Sequence, residues 1–181
     1  GIGLDCAVVD LGDRLAVYKS DPITFASDEI GYYLVHVNAN DIATTGAQPL
    51  WLLVTLLLPE QATSAELPDA IMAQIYNACR ELGIAVIGGH TEITARLDRT
   101  IAMGTLIGEV ARDKLISPRG ARTADRVLLT KGVPIEATTL LAREFPARLR
   151  GALTDAEITA ARNYLFEPGI GITRDAHTAI R

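Results

Sequence analysis

The sequence predicts an α/β (α+β) protein with a mixed β-sheet, and three observations support this fold class. Short β-rich runs alternate with helical patterns over residues 6–110. The helical pattern at residues 67–82 repeats apolar side chains every three or four positions, as in a helix with one buried face. Residues 50–58 form a nearly continuous apolar run that ends at Pro59, which is typical of a buried strand.

The order of elements follows from these patterns and from local stop signals. Ser27 is a predicted N-cap, with Asp28 and Glu29 in the first turn, and Gly46 ends that helix. A second helix ends at Gly83, and a tight turn is expected at Gly88-Gly89. The predicted strands of this part span residues 6–9, 15–18, 50–58, 84–87 and 100–110, and the predicted helices span residues 27–45 and 66–82.

A change in composition at residues 111–125 marks the predicted domain boundary. Lys, Arg, Ser, Pro and Gly replace the apolar runs there. A strand at 126–130 and a helix at 134–144 are expected next, followed by a helix at 154–165 that opens with a capping box. We therefore divide the chain into an N-terminal domain, residues 1–112, and a partial C-terminal domain, residues 113–181.

Composition excludes several classes of function. The chain has 181 residues, 17 basic and 22 acidic, and a net charge of −5, which argues against a nucleic-acid-binding protein. The longest apolar run is too short to span a bilayer, and no basic leader precedes it, so we expect a cytoplasmic protein without a membrane partner. Cys6 and Cys79 are expected to be reduced, buried thiols.

Three aspartates lie where the predicted elements begin or end. Asp5 precedes the first strand, and Asp21 follows the second. Asp41 lies on the first helix, on one face with Asn38 and Thr45, and this polar face is expected to lie opposite the apolar one. Carboxylates in such positions suit a hard cation such as Mg²⁺. The alternative, which spacing alone favours, is that each is an ordinary turn or capping aspartate.

Gly88-Gly89-His90-Thr91-Glu92 directly follows a predicted strand. Two glycines allow the backbone to approach a ligand closely, and backbone amides in a turn can hold an anion. A tight turn with a polar rim is the alternative. The segment is not a P-loop, because the chain contains no Gly-x-x-x-x-Gly-Lys-Ser/Thr motif.

Taken in order, these segments resemble the AIR synthase (PurM)-like superfamily, in particular its HypE-like, AIR-synthase-related branch. The most specific piece is Asn40-Asp41-Ile42-Ala43 followed by Gly46-Ala47-Gln48-Pro49. The supporting pieces are Asp5-Cys6-Ala7-Val8-Val9, Ser20-Asp21, Gly88-Gly89-His90-Thr91-Glu92 and Leu129-Thr130-Lys131-Gly132.

The resemblance implies a PurM-like two-domain architecture and a homodimer formed through the N-terminal sheet as a barrel-like core. It implies ATP and Mg²⁺ as cofactors, with Asp5, Asp21 and Asp41 as metal ligands and Asn40 beside the phosphates. Residues Gly88, Gly89, His90, Thr91 and Glu92 match a loop that lines the nucleotide site. His90 stands where several family members carry Asp, so a hydrogen bond to phosphate is expected of it rather than a metal bond.

The activity implied by the resemblance is ATP-dependent phosphorylation of an oxygen of a small-molecule or carbamoyl acceptor. A small-molecule kinase of the thiamine-monophosphate kinase type and a non-catalytic nucleotide-binding dimer are the alternatives. The chain lacks the family's second-domain motif of the His-Asp-x-Thr-x-Gly-Gly type, so we expect a fragment with a truncated C-terminal domain.

Overall fold

A computed structural model describes residues 5–180. Five strands form one mixed sheet with the order β1-β2-β5-β3-β4, so β1 and β4 lie at its two edges. All neighbouring pairs are antiparallel except β3 and β4, which run parallel. The strands are β1 (Ala7–Asp10), β2 (Leu15–Ile23), β3 (Gln48–Pro59), β4 (Ala85–Thr94) and β5 (Ile101–Val110).

Two helices, α1 (Ile30–Thr44) and α2 (Leu67–Leu82), cover one face of this sheet. Side chains of β5 alternate between a buried set, which faces the helices, and a partly exposed set. Gly104 and Gly108 belong to the buried set, and a Cβ at either position would overlap side chains of α1. The helix therefore lies close against the sheet, and the main core forms between them.

Helix α1 is buried on its second side as well, by the C-terminal part of the chain. Its residues Tyr33, Val35 and His36 are as buried as Leu34 and Ile42, which face the sheet. A helix that is apolar around most of its circumference is typical of such a central position. The covering helices are α3 (Ile135–Glu144), α4 (Pro146–Leu149), α5 (Asp155–Asn163) and α6 (Thr173–Ala179), with short 3₁₀ turns at Arg112–Lys114 and Pro118–Gly120 and an irregular helical turn at Leu165–Gly169.

The predicted capping box of α5 is confirmed, but the predicted N-cap of α1 is wrong. Thr154 accepts from the Glu157 N–H, and the Glu157 carboxylate accepts from the Thr154 N–H. Helix α1 instead begins after Glu29, which has φ +59° and makes no side-chain cap. The Ser27 hydroxyl donates to Glu144 of α3, 2.7 Å away, because the covering helix supplies a carboxylate there.

Two strands are longer than their local patterns predicted. Strand β2 continues through Asp21 to Ile23 because β5 provides hydrogen-bonding partners along its whole length. Strand β4 likewise runs straight through Gly88-Gly89, where a turn was expected, because it pairs with β3 as far as Thr94. The predicted turn is wrong, and residues 88–92 form part of an edge strand rather than a loop.

Residues 126–130 do not form the predicted strand. Val127 and Leu128 are 98% and 87% exposed. A strand requires a neighbour for its backbone groups, and among residues 5–180 none lies beside this segment. In the same described range, no helix is long and apolar enough to cross a membrane.

The contact between α1 and α2 requires glycine at position 31. A Cβ there would lie 2.7 Å from the Ile71 carbonyl oxygen and 2.8 Å from the Gln74 Cβ. Gly31→Ala gains about 0.5–1 kcal/mol of helix propensity but forces the helices apart, at a cost of about 1–3 kcal/mol. We expect a net loss of about 1–2 kcal/mol in the free energy of unfolding, measured with denaturant.

Gly151→Ala is the matched control, since a Cβ at position 151 meets nothing within 4 Å. Its unfolding free energy is expected to stay near the wild-type value. Equal stability of Gly31→Ala and Gly151→Ala would show that α1 and α2 pack less closely than described.

His36 makes the stability of the fold depend on pH. Burial, and then the positive charge of Lys131, lower the pKa of His36 from 6.5 to about 4. Between these two pH values the unfolded chain therefore binds a proton at His36 that the folded chain excludes. The contribution of His36 to the free energy of unfolding is complete above pH 6.5 and is lost as the pH falls from 6.5 towards 4. Relative to His36→Phe, the wild type should lose up to about 3 kcal/mol of unfolding free energy across that range.

The comparison with His36→Phe isolates this effect because other groups titrate in both proteins. Asp41, for example, has a raised pKa of about 6 and so contributes with the opposite sign in the same range. Parallel pH profiles of the two proteins would contradict the assignment to His36.

Candidate functional site

Three aspartates, from the segment before β1, from β2 and from α1, converge on one buried ammonium group. The Lys19 Nζ lies 2.7 Å from Asp5 Oδ1, 3.2 Å from Asp21 Oδ2 and 3.2 Å from Asp41 Oδ2. Lys19 is only 9% exposed, whereas the side chain of Asp5 is 69% exposed. The structure therefore brings together all three residues predicted as metal ligands, and it places a cation of the chain itself between them.

The positions of these groups follow from strand periodicity and helix packing. Lys19 and Asp21 are two residues apart in β2, so both side chains lie on the face that carries α1. Asp41 lies in the last turn of α1, with its side chain partly buried above β2. Asp21 therefore lies within β2. The prediction from the sequence, that Asp21 follows this strand, is wrong.

Asn38 ties Asp21 to helix α1. Its Oδ1 accepts from the Asp21 N–H at 3.1 Å, and its Nδ2 donates to the Leu34 carbonyl at 2.9 Å. Asn38 is fully buried, although the sequence placed it on a polar face away from the core. The polar face of α1 thus points towards the strands. There the side-chain amide of Asn38 holds the backbone at Asp21.

Burial and neighbouring charges together shift the pKa values of Lys19, Asp41 and Cys6. Burial disfavours the charged form of Lys19, but hydrogen bonds to the three carboxylates outweigh it and raise the Lys19 pKa. Burial, and then the neighbouring carboxyl groups, raise the pKa of Asp41 to about 6 despite the opposing effect of Lys19. Burial, and then the charge of Asp41, raise the pKa of the Cys6 thiol to about 11.

Cys6 is consequently a protonated, buried thiol, as predicted, and its Sγ lies 3.4 Å from the Asp41 carbonyl oxygen. Cys79 is also free and buried, and burial raises its pKa to about 12. Thiolates are the reactive form of cysteine, so neither residue is suited to act as a nucleophile.

The donor chemistry of the cluster fits a hard divalent cation. Asp5, Asp21 and Asp41 supply carboxylate oxygens, the ligands that Mg²⁺ prefers, and the Lys19 ammonium shows that the position accepts positive charge. Within residues 5–180, no three His, Cys, Asp or Glu side chains form a metal site as they stand. With Lys19 in place, the carboxylates surround its nitrogen, so their role as metal ligands stays a prediction.

Asn40 is engaged with the C-terminal part of the chain. Its Nδ2 donates to the Ile170 carbonyl at 2.9 Å, and its Oδ1 accepts from the Ile172 N–H at 2.8 Å. Both functional atoms of the amide thus hold the segment before α6 against α1. A role beside phosphates stays a prediction.

Residues Gly88–Glu92 lie at the opposite edge of the sheet from the aspartate cluster. Strand β4 is separated from β2 by β5 and β3, a distance of about 14 Å at the usual spacing of strands. Gly89 has a packing role there, because any Cβ would overlap the Val54 carbonyl. His90, Thr91 and Glu92 are exposed, and the His90 Nε2 lies 3.4 Å from the Glu92 Oε2.

Neither Lys19 nor the role of Asn38 was predicted from the sequence. A signal for Lys19 was present: it lies two residues before Asp21 in a strand whose other inward positions are apolar. A lysine on a buried strand face requires anionic partners, and the nearby aspartates are the candidates. The partners of Asn38 depend on how α1 lies across β2, which no local pattern reveals.

Comparison with known proteins is consistent with this architecture. Residues 3–110 match the family described as AIR synthase related protein, N-terminal domain. The chain belongs to this family. The match includes all five strands, α1, α2 and the aspartate cluster, and it confirms the family predicted from the sequence motifs.

Individual members of the AIR synthase-related family are similar over part of their length. Carbamoyl dehydratase HypE of Cupriavidus necator is 29% identical over 160 residues, which are 85% of this chain and 45% of that protein. Thiamine-monophosphate kinase of Archaeoglobus fulgidus is 31% identical over 134 residues, 70% of this chain and 42% of the kinase. The chain thus spans less than half of these curated relatives.

A solved structure, AaThiL complexed with AMPPCP and TMP, has the same fold. The two structures superimpose with a TM-score of 0.77 at 19% sequence identity. The superposition covers 97% of this chain and 57% of the AaThiL chain. The mixed α/β fold of the family is therefore shown, and the chain is truncated relative to this neighbour.

Proposed function

We propose that this chain binds ATP and Mg²⁺ and forms part of an enzyme that phosphorylates, and so activates, an oxygen of a small-molecule or carbamoyl acceptor. The observation that carries the proposal is the convergence of Asp5, Asp21 and Asp41, from three separate parts of the chain, around one cation position. Isolated capping aspartates would each have a separate local partner instead.

In this proposal the three aspartates hold Mg²⁺. Bound Mg²⁺ would neutralise the polyphosphate and stabilise the charge on the leaving diphosphate. The chain's own contribution is positional: Asn38 holds the Asp21 backbone, and α1 carries Asp41 to the same point. The relative from Cupriavidus necator is a carbamoyl dehydratase, and AaThiL forms a complex with AMPPCP, and both similarities support this proposal.

Residues 88–92 complete the proposed nucleotide site, with His90 donating to phosphate. Their distance from the aspartates within one chain suggests a site shared between two copies. Since β1 and β4 are both edge strands, a second copy can place its β4 near the first copy's β1.

The proposal also divides the chain into two domains. Residues 1–112 form an N-terminal nucleotide-binding domain, and residues 113–181 form a partial C-terminal domain. A cytoplasmic location stays a prediction.

The sheet face opposite α1 and α2 supports the proposed homodimer. It carries an apolar row that includes Trp51, Leu53, Leu57 and Met103, with Leu53 and Met103 38% and 37% exposed. Apolar patches of this kind commonly mark contact surfaces. Two such faces packed together give the barrel-like core implied by the family resemblance.

A small-molecule kinase is the second candidate, favoured by the similarity to thiamine-monophosphate kinase. Incubation with ATP and candidate acceptors separates the two: a kinase releases ADP and a stable phosphorylated product, whereas acceptor activation consumes the phosphorylated species. Binding of Mg·ATP with no ADP from any acceptor would favour a non-catalytic nucleotide-binding dimer.

Asp41→Asn tests the metal assignment. At a Mg·ATP concentration about 100 times the Kd, ligand binding adds about 2.7 kcal/mol to the stability of the wild type, seen as a rise in melting temperature. Asp41→Asn should show little of this rise, because one ligand carboxylate is lost while the shape of the side chain is kept.

Asp13→Asn, an exposed aspartate in the turn between β1 and β2, is the matched control and should respond as the wild type does. An unreduced Mg·ATP-dependent shift in Asp41→Asn would contradict the metal assignment. An absent shift in the wild type would contradict the proposed nucleotide site.

Leu53→Asp tests the homodimer. A charge in the centre of the exposed sheet face should dissociate the dimer, measured as halved mass by light scattering after size-exclusion chromatography. Leu141→Asp introduces the same charge on the exposed side of α3, where Leu141 is 50% exposed, and should leave the mass unchanged. A dimeric Leu53→Asp protein would place the interface elsewhere.

A further inference from the structure

The Lys19 ammonium occupies the centre of the proposed cation site. It donates to all three carboxylates, at 2.7 to 3.2 Å, and Lys19 is 9% exposed. Divalent cations bind carboxylate oxygens at about 2.0–2.6 Å from a single centre. The metal and the ammonium therefore compete for the same oxygens and cannot occupy the position together.

Charge balance leaves the cluster attractive to a divalent cation even with Lys19 present. Three ionised carboxylates and one ammonium carry a net charge of −2. A divalent ion that entered and displaced the ammonium would leave Lys19 without its three partners. A buried or partly buried ammonium requires an anion, and the anion brought to this site under the proposed function is the polyphosphate of the nucleotide.

We propose that Lys19 is a built-in occupant of the cation site, which a divalent metal must displace, and that the released ammonium then pairs with the nucleotide phosphates. This inference rests on the proposed function, for the metal ligands in its first half and for the nucleotide in its second. In the free protein Lys19 holds the three carboxylates together and keeps metal affinity low. Nucleotide and metal therefore bind cooperatively. The metal takes the three carboxylates away from Lys19, and the nucleotide phosphates replace them as partners of the ammonium.

Lys19→Met tests the competition directly with Mn²⁺ alone, without nucleotide. Free Mn²⁺ measured by electron paramagnetic resonance during titration gives the affinity of the full chain. Lys19→Met should bind Mn²⁺ tighter than the wild type by on the order of ten-fold or more, within the usual range of coupling between sites. Unchanged or weaker Mn²⁺ binding would overturn the inference.

Two further variants locate the effect. Lys114→Met makes the same change in net charge at an exposed lysine outside the cluster, and its Mn²⁺ affinity should match the wild type. Adding Asp41→Asn to Lys19→Met should abolish the gain. A gain that survives Asp41→Asn would mean that the metal binds elsewhere and would also overturn the inference.

A labelling measurement on the wild type keeps the inference testable if Lys19→Met fails to fold. Trace acetylation by acetic anhydride, read by mass spectrometry, reports how accessible each lysine amine is. Saturating Mn²⁺ should raise the labelling of Lys19 several-fold relative to Lys114, and AMPPCP added with the metal should lower it again. If the acetylation of Lys19 is the same with and without Mn²⁺, the proposed displacement of Lys19 by the metal is overturned.

The two proposals fail separately. Wild-type protein that binds Mg·AMPPCP, with no gain of Mn²⁺ affinity in Lys19→Met, retains the nucleotide-binding function and rejects the role of Lys19. Tighter Mn²⁺ binding in Lys19→Met, with no binding of AMPPCP to the wild type, retains the competition and rejects the nucleotide site.

Discussion

The ammonium of Lys19 allows three aspartates to meet at one half-buried point. Without a cation there, carboxylates from the segment before β1, from β2 and from α1 would repel one another, and two of the three, Asp21 and Asp41, are partly buried. Burial raises the pKa of Asp41 to about 6, and the neighbouring carboxyl groups add to this shift although Lys19 opposes it. Three carboxylates around one ammonium carry a formal net charge of −2, which under the proposed function favours a divalent cation at this point.

Helix α1 connects this cluster to the rest of the molecule. Towards the sheet it packs against two glycines of β5 and fastens Asp21 through Asn38. Towards the C-terminal segment it fastens residues 170 and 172 through Asn40. The two asparagines are two residues apart, so they point to different sides of the helix, and each hydrogen-bonds backbone groups outside it. A shift of α1 would therefore disturb the cluster and the C-terminal packing together.

The sheet is asymmetric in a way that matters for assembly. One face is covered by α1 and α2, while the other presents partly exposed apolar side chains of β3 and β5. Both edge strands also carry residues of the proposed site or lie next to them. The proposed arrangement, in which two copies share one nucleotide site, would use the uncovered face and the edges at once and would cover this apolar surface.

The sequence by itself determined the family, the α/β class and the order of β1 to β5 with α1 and α2 along the chain. It also singled out the three aspartates that meet at Lys19. These features depend on local periodicity and short motifs. Only the tertiary structure placed Lys19 among the aspartates, since that depends on the register of β2 and the position of α1. It also decided which segments became strands: Gly88–Glu92 extends β4 because β3 is beside it, whereas residues 126–130 remain irregular. Backbone hydrogen bonds across a sheet require a neighbouring strand, and a local pattern does not contain its neighbour.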